Sequence, residues 1–374
     1  MDHKKKFQLF RLSRNFCSVP WNMFKVDPDG TVNTCVPGTT RLGNIKETSI
    51  QDIVNGPAIQ AIRNNLLQDL PDANCTNCVK LENGEFGHLR KMYNRQFIDR
   101  AVDYDTDDFT LSAVDLQWSS TCSLRCVMCW AKQSSAIAQE QRIPILTTRE
   151  DEVEELTNWI VNQQYSLKEI YISGGEPTLI KHNLRLLQRL DKRNNLLIRV
   201  NTSLMFDQGN PVVQQVLQFP NVEITVSTDA TRQQFEYIRY GADYARFLDN
   251  LAWLKTTQAK LRMNFVFFVA TAANLIDNIT EFRSLGIQDF TINDVAAQPS
   301  LQARNMPDNI KQLLLEQYSA EIARCPADTA LVGQLTNCIA ELRQPNNGLS
   351  YSEYFDDIDH KRGTDWRTTF PELL

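Results

Sequence analysis

The chain has 374 residues, 42% of them apolar, with nine cysteines, six tryptophans and a net charge of −6. That length and apolar share exclude a disordered chain and fit one large α/β domain plus a smaller one. The acidity argues against broad nucleic-acid binding, which rests on phosphate neutralisation, and no apolar run approaches the roughly 20 residues of a membrane helix.

Residues 1–83 read as a small metal-bound domain. Lys4, Lys5, Lys6, Arg11 and Arg14 form a basic arm without the apolar stretch of a secretory signal. The first hundred residues hold 14 Lys/Arg against 10 Asp/Glu, so +4, leaving −10 for the rest. The arm reads as solvated, with contact to an acidic partner as the other reading. Asp27-Pro28-Asp29-Gly30 is a turn signal between Phe24-Lys25-Val26 and Thr31-Val32, which predicts a hairpin. Leu42-Gly43-Asn44-Ile45 predicts a second turn. Ile53, Ile59, Ile62 and Leu66 carry helical spacing, predicting one helix over 50–67 with Ser49 as its cap. Four cysteines, Cys17, Cys35, Cys75 and Cys78, punctuate a segment with little aliphatic mass, which suggests a core completed by metal. A zinc ribbon is one way to use them.

A linker over 84–110 follows, with a short helix over 89–98 and the acidic run Asp103–Asp108. Beyond it, strand-like runs at 113–118, 168–172, 196–201, 222–227, 261–269 and 288–293 alternate with amphipathic stretches at 149–163, 182–192, 211–218, 242–257 and 274–285. Continuous apolar strands alternating with helices predict a parallel sheet. Six repeats over 111–300, rather than eight, predict an α/β fold of the partial (β/α)6 TIM-like barrel type, whose chemistry sits at the carboxyl ends of the strands. Residues 301–374 read as helices at 308–324 and 327–343 and a polar tail whose aromatics pack on something. Cys325 and Cys338 read as buried small apolar residues.

Cys122, Cys126 and Cys129 follow the first barrel strand at spacings of four and three. Three thiolates from one short loop can take three corners of an iron–sulfur cube and leave one iron open. Zinc with three cysteines and a water is the alternative, at a spacing uncommon for it. Gly174-Gly175-Glu176-Pro177 follows the second strand, its glycines permitting a turn that brings backbone close to a ligand. Together these motifs resemble the radical S-adenosylmethionine (SAM) enzymes. The resemblance implies that the three-cysteine [4Fe–4S] cluster chelates SAM and that the Gly-Gly-Glu-Pro turn binds the methionyl amino group. Weaker matches extend it: Asn201 at the end of the third strand, Ser227 near the ribose, Arg239 on the SAM carboxylate, and Met128 (or Trp130) over adenine. Ala230 departs from the glycine usual after Asp229. Asp229 and Asp294 end strands four and six and are candidate proton acceptors, with a structural use open for each.

The order Cys17, Asp29-Gly30-Thr31-Val32, Cys35, Leu42-Gly43-Asn44-Ile45, Cys75-x-x-Cys78 resembles the SPASM/twitch module, which implies one auxiliary [4Fe–4S] cluster held by four cysteines. In familiar members the module follows the barrel; here it precedes it. The expected function is reductive cleavage of SAM to a 5′-deoxyadenosyl radical and hydrogen abstraction from a peptide or protein, as in a maturase. A small carbohydrate or nucleotide substrate, or a metal-stabilised binding protein without turnover, are the alternatives. The expected partners are that substrate and an electron donor such as flavodoxin or ferredoxin, with no membrane, in the cytoplasm, where thiols stay reduced.

Overall fold

A computed structural model describes residues 8–9, 12–83, 89–97, 109–295 and 297–374. The Lys4–Lys6 arm, Arg11, and the acidic run Asp103–Asp108 with most of the predicted linker lie outside the described residues. The chain divides into two compact units. The first holds residues 1–121, 146–200 and 211–222; the second holds 122–145, 201–210 and 223–374.

The first unit begins with the predicted hairpin. Strands β1 (Met23–Val26) and β2 (Thr31–Asn33) pair antiparallel with Val26 opposite Val32. Gly30 turns the chain at φ +84°, and a Cβ there would meet Asn44 Oδ1 at 2.8 Å. The predicted second turn is instead a short strand, β3 (Gly43–Asn44), paired with β2. It is added because the Leu42 amide finds the Val32 carbonyl at 2.8 Å and the Ile45 amide the Gly30 carbonyl at 2.9 Å. The predicted helix over 50–67 is two helices, Ile50–Asn55 and Pro57–Leu67. Pro57 has no N–H to donate and pushes Gly56 into extended backbone (φ −74°, ψ 171°), so the chain breaks there and restarts with proline at the first helical position.

β1 also pairs in parallel with β4 (Ala113–Leu116), with Lys25 opposite Asp115. The small N-terminal module is thus joined by strand addition to the edge of the barrel-type strands, which the sequence did not announce. β4, β5 (Glu169–Ile172) and Leu197–Val200 of β6 (Leu197–Thr202) are parallel. One face of these strands carries Val114, Ile170, Ile172 and Ile198, all fully buried. The other carries Lys25, Asp115, Tyr171 and Arg199 in one cross-strand row. Helix Glu150–Asn162 covers the first face, and its Trp159 packs edge-on against Phe24 at 5.8 Å and bonds Gln51 at 2.9 Å.

In the second unit, Glu223–Ser227 of β7 (Val222–Ser227), β8 (Lys260–Phe267) and β9 (Phe290–Asp294) run parallel. Helices Tyr244–Leu254 and Leu275–Ser284 supply the crossovers. With parallel strands alternating with helices in each unit, the fold class is the α/β, partial (β/α)6 type, followed by a helical C-terminal region. The tail, read from the sequence as polar, contains a helix at Tyr351–Arg362. Ser350 caps it on the Glu353 amide, and Gly363 ends it at φ +68°.

Two buried polar groups give tests of this packing. Arg63 is fully buried and donates to the Pro20 carbonyl (3.1 and 2.8 Å) and the Val54 carbonyl (2.8 Å), stapling three segments of the N-terminal module. Arg63→Ala strands both carbonyls and is expected to cost about 3–5 kcal/mol in denaturant unfolding. Asp115 is fully buried on β4 and accepts the Ser173 hydroxyl at 2.8 Å. Burial pushes its carboxyl up to about 6, against the pull of Lys25 and Ser173. A carboxyl raised on folding stabilises in full below its unfolded value and loses that contribution as pH rises through about 6. Asp115→Asn is therefore expected to gain roughly 1–3 kcal/mol over the parent at pH 8 and little at pH 4, read from paired denaturation curves.

Candidate active site

In the first unit, the Gly-Gly-Glu-Pro turn leaves the carboxyl end of β5 and meets the segment leaving β4. The Gly175 amide donates to the Ser119 carbonyl at 3.3 Å and the Glu176 amide to the Thr121 carbonyl at 2.7 Å. Gly174 sits at φ +102°, and a Cβ on Gly175 would lie 2.2 Å from the Thr121 oxygen. Both glycines are obligatory, the first for its dihedral and the second for contact. Glu176 is buried and accepts the Thr178 hydroxyl at 2.8 Å. Pro177 is fixed through its carbonyl by Asn183 at 2.9 Å, and Asn183 in turn accepts the Trp118 indole at 2.8 Å. Thr121 is the residue immediately before Cys122 in the chain.

The cysteines themselves belong to the second unit. Ser135 accepts the Cys122 amide and donates to the Cys122 carbonyl, each at 3.0 Å, and the Leu124 amide approaches the Cys122 sulfur at 3.4 Å. Ser134, the cap of helix Ser135–Glu140, donates to the Leu124 carbonyl at 2.7 Å. Burial raises the Cys126 thiol, with Arg239 pulling the other way, and pushes the Cys129 thiol to about 12, helped by the charge of Cys126. Met128 is buried, whereas Trp130 is 43% exposed.

Arg239 is buried with its donors divided three ways. Nε bonds the Thr228 carbonyl at 2.5 Å, Nη2 bonds Asp229 at 2.6 Å, and Nη1 reaches the Cys126 sulfur at 3.8 Å. Asp229 is fully buried at φ +87°, and its second oxygen accepts the Val266 amide at 2.6 Å. With both oxygens engaged, Asp229 orients Arg239. The left-handed residue here is Asp229 itself, so Ala230 carries no strain at the glycine position. Ser227 donates to Asn201 at 2.9 Å, which brings two predicted site residues together. Asp294 is exposed at the end of β9.

The four remaining module cysteines share one place in the first unit. Burial raises the Cys17 thiol, and Cys75, Cys35 and Cys78 add to it by charge. Cys75 is pushed to about 12 by burial, with Cys35, Asp72 and Cys78 contributing. Asn74 knits the two cysteine loops, donating to Thr34 at 2.9 Å and accepting the Thr40 amide at 3.0 Å. All nine cysteines are free, and among the described residues no three metal-binding side chains converge on a single ion. Cubane ligands need not converge so, since each sulfur binds a different iron. Free cysteines in two groups, of three and of four, are the donor sets that iron would bind as thiolates, so the residues fit both clusters. Cys338 is buried as expected; Cys325 is only partly so, its thiol beside Glu321 at 3.7 Å at a helix end.

Comparison with known families gives residues 116–293 as Radical SAM superfamily and residues 17–79 as SPASM, an iron-sulfur cluster-binding domain. The chain thus holds a radical SAM domain and a SPASM domain, and these domains bring a [4Fe–4S] cluster, SAM and auxiliary iron–sulfur binding. No curated protein matches the chain. Among solved structures, native anSMEcpe with bound AdoMet is 14% identical over 57% of this chain and 62% of that one, TM-score 0.42. The chain thus spans about three-fifths of that relative's length. Streptococcus suis SuiB bound to S-adenosylmethionine is 13% identical over 83% of this chain and 71% of that one, TM-score 0.43. Methylornithine synthase is 11% identical over 50% and 55%, TM-score 0.36.

The Gly175 contact makes a sharp test. Gly175→Ala sets a methyl against a backbone carbonyl that no rotamer change can relieve, and is expected to destabilise by about 3 kcal/mol or more. Gly209→Ala, with nothing within 4 Å, is the control and should leave the denaturation midpoint unchanged.

Proposed function

We propose that this enzyme acts on a peptide or protein, as a maturase, using one SAM-binding cluster on Cys122, Cys126 and Cys129 and one auxiliary [4Fe–4S] cluster on Cys17, Cys35, Cys75 and Cys78. The observation that carries the reading is the Glu176 amide on the Thr121 carbonyl, which ties the Gly-Gly turn to the residue that precedes Cys122 in the chain. The peptide assignment rests on the SPASM match, whose members commonly modify peptides or proteins.

When bound, the cluster and SAM supply reductive cleavage of a sulfur–carbon bond and hydrogen abstraction. The chain's residues prepare for this. Gly174, Gly175, Glu176 and Pro177 present a rigid turn for the methionyl amino group. Ser227 and Asn201, bonded to each other, serve the ribose, and Met128 serves the adenine. Arg239, charged and buried, offers remaining N–H groups to the SAM carboxylate while holding Cys126. Asp294 is the open candidate for a proton acceptor, Asp229 being committed to Arg239.

The domain assignment follows the same reading: auxiliary module 1–83, linker 84–110, radical SAM core 111–300 and C-terminal extension 301–374, with the module N-terminal to the core. Nine reduced cysteines suit the cytoplasm, where a flavodoxin or ferredoxin would donate the electron. Among the described residues no helix is long and apolar enough to cross a membrane.

Anaerobically reconstituted protein given dithionite and SAM should release 5′-deoxyadenosine, and Cys126→Ala should abolish release. Iron should stand near eight per chain and fall to about four when Cys75 and Cys78 are replaced. Release that survives Cys126→Ala, or iron unaffected by the second pair, would sink the respective assignment.

A further inference from the structure

The stretch Arg125–Cys129 carries two of the three cysteines, and its backbone is hydrogen-bonded along its length. The amides of Arg125 and Val127 donate to the carbonyls of Tyr240 (3.0 Å) and Ile238 (2.8 Å). The carbonyls of Arg125, Val127 and Cys129 accept in turn from Arg362 Nη1 (2.8 Å), Tyr354 Oη (2.8 Å) and Gln298 Nε2 (3.0 Å). All three donors are side chains, and all lie beyond residue 293, where the radical SAM match ends.

Their placement is itself fixed. The Arg362 side chain is 4% exposed and bonds both oxygens of Glu140, at 3.0 and 2.9 Å, at the end of the helix whose other end holds Cys122 and Leu124. The ring of Tyr240 lies within 4.6 Å of the Arg125 guanidinium and 5.1 Å of that of Arg362. Helix Tyr351–Arg362 is anchored further by Tyr237, whose hydroxyl donates to Asp359 at 2.8 Å, and by Phe355 against Trp366 at 5.7 Å. Carbonyl oxygens carry partial negative charge, and an anionic cluster is best held by a loop whose carbonyls are turned away from its sulfurs. Donors on the carbonyls of Arg125, Val127 and Cys129 draw off that charge and fix the path of the backbone between the cysteines.

We propose that Gln298, Tyr354 and Arg362 are positioning residues for the SAM-binding cluster. The C-terminal helix acts as an outer splint that sets the shape of the cysteine loop, so cluster retention depends on its docking. The proposal rests on the cluster assignment made above.

The test uses the full-length chain with Tyr354→Phe, which deletes one hydroxyl, and Arg362→Gln. After anaerobic reconstitution, iron loss to a chelator from the three-cysteine site should quicken roughly 10–100-fold, as for other partners behind metal ligands. The electron paramagnetic resonance change produced by SAM should weaken, while about four irons per chain remain at the auxiliary site. The denaturation midpoint of Tyr354→Phe should stay that of the parent. Hydrogen exchange of the iron-free protein reads the same splint without any cluster: peptides covering 122–130 should exchange roughly tenfold faster or more in both variants, with those covering 50–67 unchanged. Parental iron loss and exchange in both variants would overturn the proposal, as would acceleration matched by a fall in global stability. A parent that takes no iron at the three cysteines, yet shows the exchange difference, would instead overturn the cluster assignment.

Discussion

No atom fits between the Gly175 Cα and the Thr121 carbonyl, and that contact governs the first unit's share of the site. A Cβ would stand 2.2 Å from the oxygen, well inside any van der Waals distance. The closeness lets the Glu176 amide bond the same carbonyl at 2.7 Å, so two strand-end segments from neighbouring parallel strands are joined backbone to backbone. Trp118, Asn183 and Pro177 then brace the turn from behind. Side-chain bonds alone would leave rotamer freedom at Thr121; a backbone bond removes it.

In the second unit the corresponding constraint is electrostatic. Asp229 and Arg239 are buried together, and each would be costly without the other. The pair survives because every strong direction is used: both carboxylate oxygens accept, and the guanidinium also serves a carbonyl and a cysteine sulfur. The left-handed backbone at Asp229 is the local strain that aims its carboxylate. Around it sit thiols that burial keeps protonated, a poor environment for thiolates until a cation arrives.

The N-terminal module shows how a segment too small for its own core is completed. It borrows a barrel strand's edge through β1, packs Phe24 on Trp159, and gathers Cys17, Cys35 and Cys75 beside Phe16 and Trp21. Gly43 permits this compactness, since a Cβ there would meet Ile53 at 2.8 Å. Burying an unscreened Arg63 is tolerable because carbonyls of three-dimensionally adjacent turns accept from it.

Cysteine spacing, the Gly-Gly-Glu-Pro run and the alternation of apolar strands with amphipathic helices are local signals, and the amino-acid sequence by itself determined the barrel-type repeats and the two domains, radical SAM and SPASM. Pro57 was also local, and its break in the 50–67 helix was legible to closer reading, as were the Ser350 cap and Gly363 stop around the tail helix. Tertiary structure alone decided which partners those pieces found. Strand addition of β1 to β4 is a pairing of residues ninety apart in register, and backbone edges carry no side-chain code for their neighbour. The three-way division of Arg239, and the donors that Gln298, Tyr354 and Arg362 place behind the cysteine loop, join positions far apart in the chain. Hydrogen bonds to carbonyls are open to any donor that folding delivers, so only packing could choose these.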